Sequence, residues 1–245
     1  MKENFKLEVC CADIESVGAA QEGGADRIEL CTALETGGVT PSAGLLEKAI
    51  ELFGREIMVL VRERTGDFVY SAEEINAMCS DIRHAVKQGV KGIVIGALTP
   101  RGDVDEEACR RMLEAARGAE TTFHRAFDLC RNPVESIETI IRLGFNRILT
   151  SGCRPTAWEG RDLLKQLNNL ADNRIIILPG SGVNAGNVAG LLEFTTCHEV
   201  HASAKVSLDN CGDFTVAETL GLYGRTRHAT SAQAVKELKS ILSSL

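Results

Sequence analysis

The 245-residue chain is 44% hydrophobic and 25% charged, ordinary proportions for a globular protein and enough apolar material to bury a sizeable core. Its net charge of -7 argues against nucleic acid, which asks for a basic surface, and no apolar run approaches the ~20 residues of a membrane helix. Lys2 and Glu3 precede any apolar stretch, so no secretory leader is expected and a cytoplasmic location is the default. The nine cysteines are an odd, scattered set without a Cys-x-x-Cys pair, which reads as thiols rather than a disulfide framework.

Short β-rich runs recur at 6–10, 26–31, 57–62, 91–96, 121–125, 146–151, 175–180 and 198–203. In the first, Leu7 and Val9 share one face while Glu8 and Cys10 share the other. The second repeats the pattern, with Ile28 and Leu30 opposed to Arg27, Glu29 and Cys31. Helix signals lie between the runs. Thr40-Pro41 reads as a cap followed by Pro at the first helical position. Ser71 with Glu74 is a capping box, Asn132-Pro133 starts another helix, and Thr156 with Glu159 resembles a further box. The last helix begins near Ser231. The polar stretch 204–230 reads as a functional or interface loop.

Eight such units average about 31 residues, the size of a βα unit. No linker divides them. The prediction is one α/β domain over 1–245, a (β/α)8 TIM barrel. An open doubly wound sheet is the alternative, but no Gly-x-Gly-x-x-Gly follows the first strand.

In a barrel of this kind the site lies at the C-terminal ends of the strands. The polar residues expected there are Glu8, Cys10, Arg27, Glu29, Cys31, Arg62, His124, Arg125, Asp128, Thr150, Ser151, Ser181, His201 and Ser203. Buried charges must be paired, so one reading is a set of structural ion pairs plugging the barrel. The other is a site. Glu8 and Glu29 can share a proton or bind a cation or an arginine. His124, Asp128 and His201 are acid/base candidates, and Arg27, Arg62 and Arg125 are candidate anion clamps. Cys10 and Cys31 end neighbouring strands with the same facing. Such a thiolate pair suits a soft ion such as Cu(I). Gly180-Ser181-Gly182, leading towards a helix, suits a phosphate or other anion, with Ser151 nearby; a plain tight turn is the alternative.

These segments together resemble the CutC family, the copper homeostasis proteins. The matching pieces are Leu7-Glu-Val-Cys10, Gly23-Gly-Ala-Asp-Arg-Ile-Glu-Leu-Cys31, Gly37-Gly-Val-Thr-Pro-Ser42, Gly66-Asp-Phe-Val-Tyr-Ser71, Phe123-His-Arg-Ala-Phe-Asp128, Leu149-Thr-Ser-Gly152, Gly180-Ser-Gly-Val-Asn184 and His201-Ala-Ser203. The resemblance implies a (β/α)8 barrel, a cytoplasmic location, a role in copper tolerance or trafficking, and self-association as a homodimer or larger homo-oligomer. It places copper at Cys10 and Cys31. One departure is Arg62-Glu-Arg-Thr65, where the family pattern is Arg-Pro-Arg-Gly.

Two functions follow. The first is a copper homeostasis protein binding Cu(I) at the barrel mouth. The second is an enzyme on a small phosphorylated or carboxylated metabolite, with His or Glu as acid/base and arginines holding the anion. A purely structural protein ranks last, because it leaves the charged interior unexplained.

Overall fold

The structure, a computed structural model, describes residues 5–209 and 226–245. Eight parallel strands form the core: β1 (Lys6–Cys11), β2 (Arg27–Leu30), β3 (Glu56–Leu60), β4 (Gly92–Ile95), β5 (Glu120–Phe123), β6 (Arg147–Thr150), β7 (Ile176–Pro179) and β8 (Glu199–Ala202). Each strand pairs with its chain neighbour from β1 to β7, and β8 pairs with β1. The ring closes where β7 lies against β8 without a ladder. The outer layer is α1 (Ile14–Gly23), α2 (Ala43–Leu52), α3 (Ala72–Lys87), α4 (Glu106–Ala115), α5 (Pro133–Leu143), α6 (Arg161–Ala171), α7 (Val188–Thr195) and α8 (Ala232–Ser244). No helix among the described residues is long and apolar enough to cross a membrane.

Local chemistry sets the helix ends. Asp13, Ser71, Asp105, Asn132 and Ser231 each accept a backbone N–H at the start of a helix, and Ser71 with Glu74 completes a capping box. Gly24 and Gly144 end α1 and α5 in the left-handed conformation. The expected cap at Thr40 moves to Ser42. Thr40 is occupied elsewhere: its hydroxyl exchanges hydrogen bonds with the backbone of Arg62 at the end of β3. Thr156 and Glu159 do bond each other, but they shape a turn before α6 rather than its first residues.

Strand side chains alternate between two layers. Leu7, Val9, Cys11, Ile28, Leu30, Val59, Ile93, Ile95 and Ile148 face the helices in one continuous apolar core. Cys10, Cys31, Met58, Leu60 and Val94 make a smaller cluster within the barrel. At the N-terminal end of the barrel the strands open on charged residues. Lys6 pairs with Glu56, Lys91 with Glu120, Arg147 with Glu120 and Glu199, and Arg27 with Glu199 and Glu8. This chain of ion pairs closes the bottom, and its two arginines are almost wholly buried.

Part of 204–230 is not loop. Lys205–Asp209 (β9) and Thr226–Thr230 (β10) pair as an antiparallel ribbon that packs on α1. The rest of that stretch lies outside the described residues.

Candidate functional site at the barrel mouth

Register assembles the principal cluster. Glu8 on β1 lies opposite both Arg27 on β2 and His201 on β8, and Cys10 lies opposite Glu29. The Arg27 Nε donates to Glu8 Oε2 at 2.5 Å, and His201 Nδ1 lies 2.7 Å from Glu8 Oε1. His201 Nε2 then faces Glu29 Oε2 at 3.9 Å. The Cys10 thiol donates to that same oxygen at 3.2 Å, and its sulfur lies 3.6 Å from the sulfur of Cys31. Ligand atoms from Cys10, Glu29 and His201 all lie within 4.8 Å of one another. Cys10 is 3% exposed and Cys31 0%. Gly180 belongs here too. A methyl on it would come 2.6 Å from the Leu149 side chain and within ordinary contact, 3.4 Å, of the His201 Cβ, so its bareness makes room for Leu149 beside His201.

The electrostatics are uneven by construction. Burial alone would raise the Glu8 carboxyl, but the Arg27 guanidinium and His201 outweigh it and hold the pKa at about 2. Burial raises Glu29, whose neighbours compensate less. Burial pushes the His201 imidazole down, yet its hydrogen bond to Glu8 and the two carboxylates carry it above its ordinary value. The hydrogen bond with Cys31, then burial, lifts the Cys10 thiol well above the usual range. The cluster is therefore an ionised Glu8, a proton-avid His201 and Glu29, and a protonated Cys10. Glu8 also fixes the histidine ring, leaving Nε2 for a ligand. A thiol, a carboxylate and an imidazole in mutual reach, with the Cys31 thiol beside Cys10, are donors suited to a soft or borderline metal ion.

The other expected residues fall into separate groups. Arg62 is buried and donates to the carbonyls of Thr36, Gly38 and Gly66. It folds the loop after β2 over Cys31; a methyl on Gly38 would meet Leu60 at 2.7 Å and Cys31 at 3.4 Å. His124 and Arg62 both stack on Phe68, each 4.8 Å from it. Burial, then Arg62, depresses His124 to about 3. Arg125 is half-exposed on a short 3-10 turn past β5 and bonds Asp128 and Ser151. Asp128 accepts from Thr150, Ser151 and the Cys153 N–H, so it ties the loop after β6 in place. Gly180-Ser181-Gly182 does not open a helix. α7 begins at Val188, the Ser181 hydroxyl donates to the Pro155 carbonyl, and the Gly182 carbonyl accepts from Asn184 and Asn187. Asn184 and Asn187 cross-link the intervening turn, which delays the helix.

Sequence reasoning missed Glu199, Arg147, Glu120, Glu56 and Phe68. A signal existed for the first four: each stands at the start of a strand, where a charge repeats.

The fold and site together define a (β/α)8 barrel with a buried thiol, carboxylate and imidazole cluster at its C-terminal mouth. The CutC family model matches residues 5–206, and the chain belongs to the CutC family. It is 50% identical over 201 residues to the family protein CutC of Pasteurella multocida (82% of each chain). It is 44% identical over 206 residues to the copper homeostasis protein cutC homolog of Homo sapiens, covering 84% of this chain and 76% of that one. A crystal structure described as the copper homeostasis protein CutC of Streptococcus agalactiae superposes with a TM-score of 0.77 at 33% identity, over 81% of this chain and 98% of that one.

Proposed function

We propose that this protein binds Cu(I) at the barrel mouth through Cys10 and Cys31, as a copper homeostasis protein of the cytoplasm. The observation that carries the reading is the 3.6 Å separation of the two sulfurs, next to Glu29. Two metal–thiolate bonds of about 2.3 Å span up to about 4.6 Å, so one ion fits between them. Loading requires both thiols to lose their protons. Glu29 accepts the Cys10 hydrogen bond and has a raised pKa, so it is the base that takes the Cys10 proton. His201, oriented by Glu8, offers Nε2 as a third donor. Self-association into a homodimer or larger homo-oligomer completes the reading, on the strength of the family alone.

Titration with Cu(I) against a competing chelator tests this. The wild type takes up about one equivalent, and Cys10→Ala with Cys31→Ala abolishes tight uptake. Full uptake by the double variant would remove the thiols from the site.

The second reading is an enzyme acting on a small phosphorylated or carboxylated metabolite. It is favoured by the opposed pKa shifts of Glu8 and Glu29, the pattern of an acid/base pair. It ranks lower because its anion clamps Arg27, Arg62 and Arg125 are each already bonded within the chain.

A further inference from the structure

A cavity lies beside the thiol cluster, on the far side of Ala12 and Leu34. It has a volume of about 630 Å³ and opens between the loops after β1 and β2 and the β9–β10 ribbon. Ala12 and Leu34 line it on one side and pack against the Cys10 and Cys31 cluster on the other. Thr230, also in its wall, bonds the Cys10 carbonyl. Ala12 and Leu34 are thus shared between the cavity wall and the thiol cluster.

Its charges divide into spent and unspent. Asp13 caps α1 and Arg227 pairs with Glu15. Lys205, His228 and Glu35 line the same cavity, are exposed, and have no partner among the described residues. An ammonium, an imidazole and one carboxylate on a concave wall match a zwitterion: carboxylates towards Lys205 and the His228 N–H, an ammonium towards Glu35. The volume falls in the ~300–1,000 Å³ range of small-molecule sites.

We infer that this cavity receives a small zwitterionic thiol, of tripeptide size, that delivers Cu(I) to Cys10 and Cys31. The inference rests on the copper reading above and names the donor. A soft monovalent ion prefers thiolate ligands, and cysteines 0–3% exposed receive it by ligand exchange with a carrier seated beside them, against Ala12 and Leu34. In the exchange two Cu–S bonds to the carrier break and two to Cys10 and Cys31 form. The two cysteine protons pass to the departing carrier thiolates, that of Cys10 by way of Glu29. Copper stays Cu(I) throughout, and no oxidant or reductant is consumed.

Two measurements test this, with glutathione as the carrier. The first uses metal-free protein and S-methylglutathione, followed by calorimetry. Saturable binding is expected, weakened about tenfold or more by Lys205→Glu with His228→Glu, since an attractive ammonium and a hydrogen-bond donor both become repulsive carboxylates. Glu35→Gln should weaken S-methylglutathione but not its N-acetyl form. Absent binding, or binding indifferent to these changes, overturns the cavity assignment. The second follows Cu(I) transfer from its glutathione complex and from its acetonitrile complex. The Lys205→Glu, His228→Glu variant should slow the first about tenfold and leave the second, and the final stoichiometry, unchanged. Equal rates for both donors in wild type and variant overturn delivery. Wild type that binds S-methylglutathione yet takes Cu(I) from neither donor refutes the copper reading and delivery while the cavity assignment stands.

Discussion

His124 has one ring nitrogen engaged and the other bare. Its Nδ1 accepts the Ala126 N–H at 3.2 Å, and its Nε2 is buried without a partner among the described residues. With a folded pKa of about 3 against an ordinary 6.5, it is neutral in the native protein. The unfolded chain binds a proton there first, so stability falls as pH drops below about 6.5 and goes on falling towards the folded value. Between pH 7 and pH 5 this residue alone should cost about 2 kcal/mol. His124→Gln should flatten that part of the profile in urea denaturation; an unchanged slope would mean the ring is not sealed. Single residues were legible in the sequence to the extent that strand alternation governs them. Glu8, Cys10, Arg27, Glu29 and His201 stand where period two and parallel register put them. Arg62, Arg125 and Asp128 lie at or past strand ends, where the chain turns and alternation no longer says which way a side chain points.

Loops, more than strands, carry the shape of the mouth. The loop after β6 folds back so that Gly160 touches its own beginning. A methyl at Gly160 would sit 1.9 Å from the Ser151 carbonyl oxygen and 2.9 Å from the Gly152 Cα. Both obstacles are backbone, and Ser151 is held by Asp128, so neither yields easily. Gly160→Ala should therefore lose at least ~2 kcal/mol, as overpacking does in a closed space; a variant as stable as wild type by chemical denaturation would show the loop is free to open. Helices were readable from their caps because capping is local chemistry. The start of α7 was not, because Asn184 and Asn187 bond each other's backbone neighbourhood and postpone the helix beyond the Gly-Ser-Gly turn. The β9–β10 ribbon also escaped, since it sits in a polar stretch without the apolar alternation that marks the barrel strands.

At the scale of the whole barrel, the two ends do different work. The N-terminal end is closed by alternating charges from Lys6 to Glu199, which depend on ring closure and so leave only a faint periodic trace in the sequence. The ring fixes Arg27, Arg27 fixes Glu8, and Glu8 fixes His201 beneath the thiols. An ion pair network at one end thus sets the protonation of a ligand cluster at the other. The part of the interior that reads as structural plugging and the part that reads as a site are linked by hydrogen bonds up to His201 and by its 3.9 Å ionic contact with Glu29 beyond it. The upper end of this linkage is the proposed seat of Cu(I), held by sulfur. The copper K-edge absorption spectrum of the Cu(I)-loaded protein measures this directly: two sulfur neighbours at about 2.3 Å are predicted, and a first shell of nitrogen and oxygen alone would contradict it.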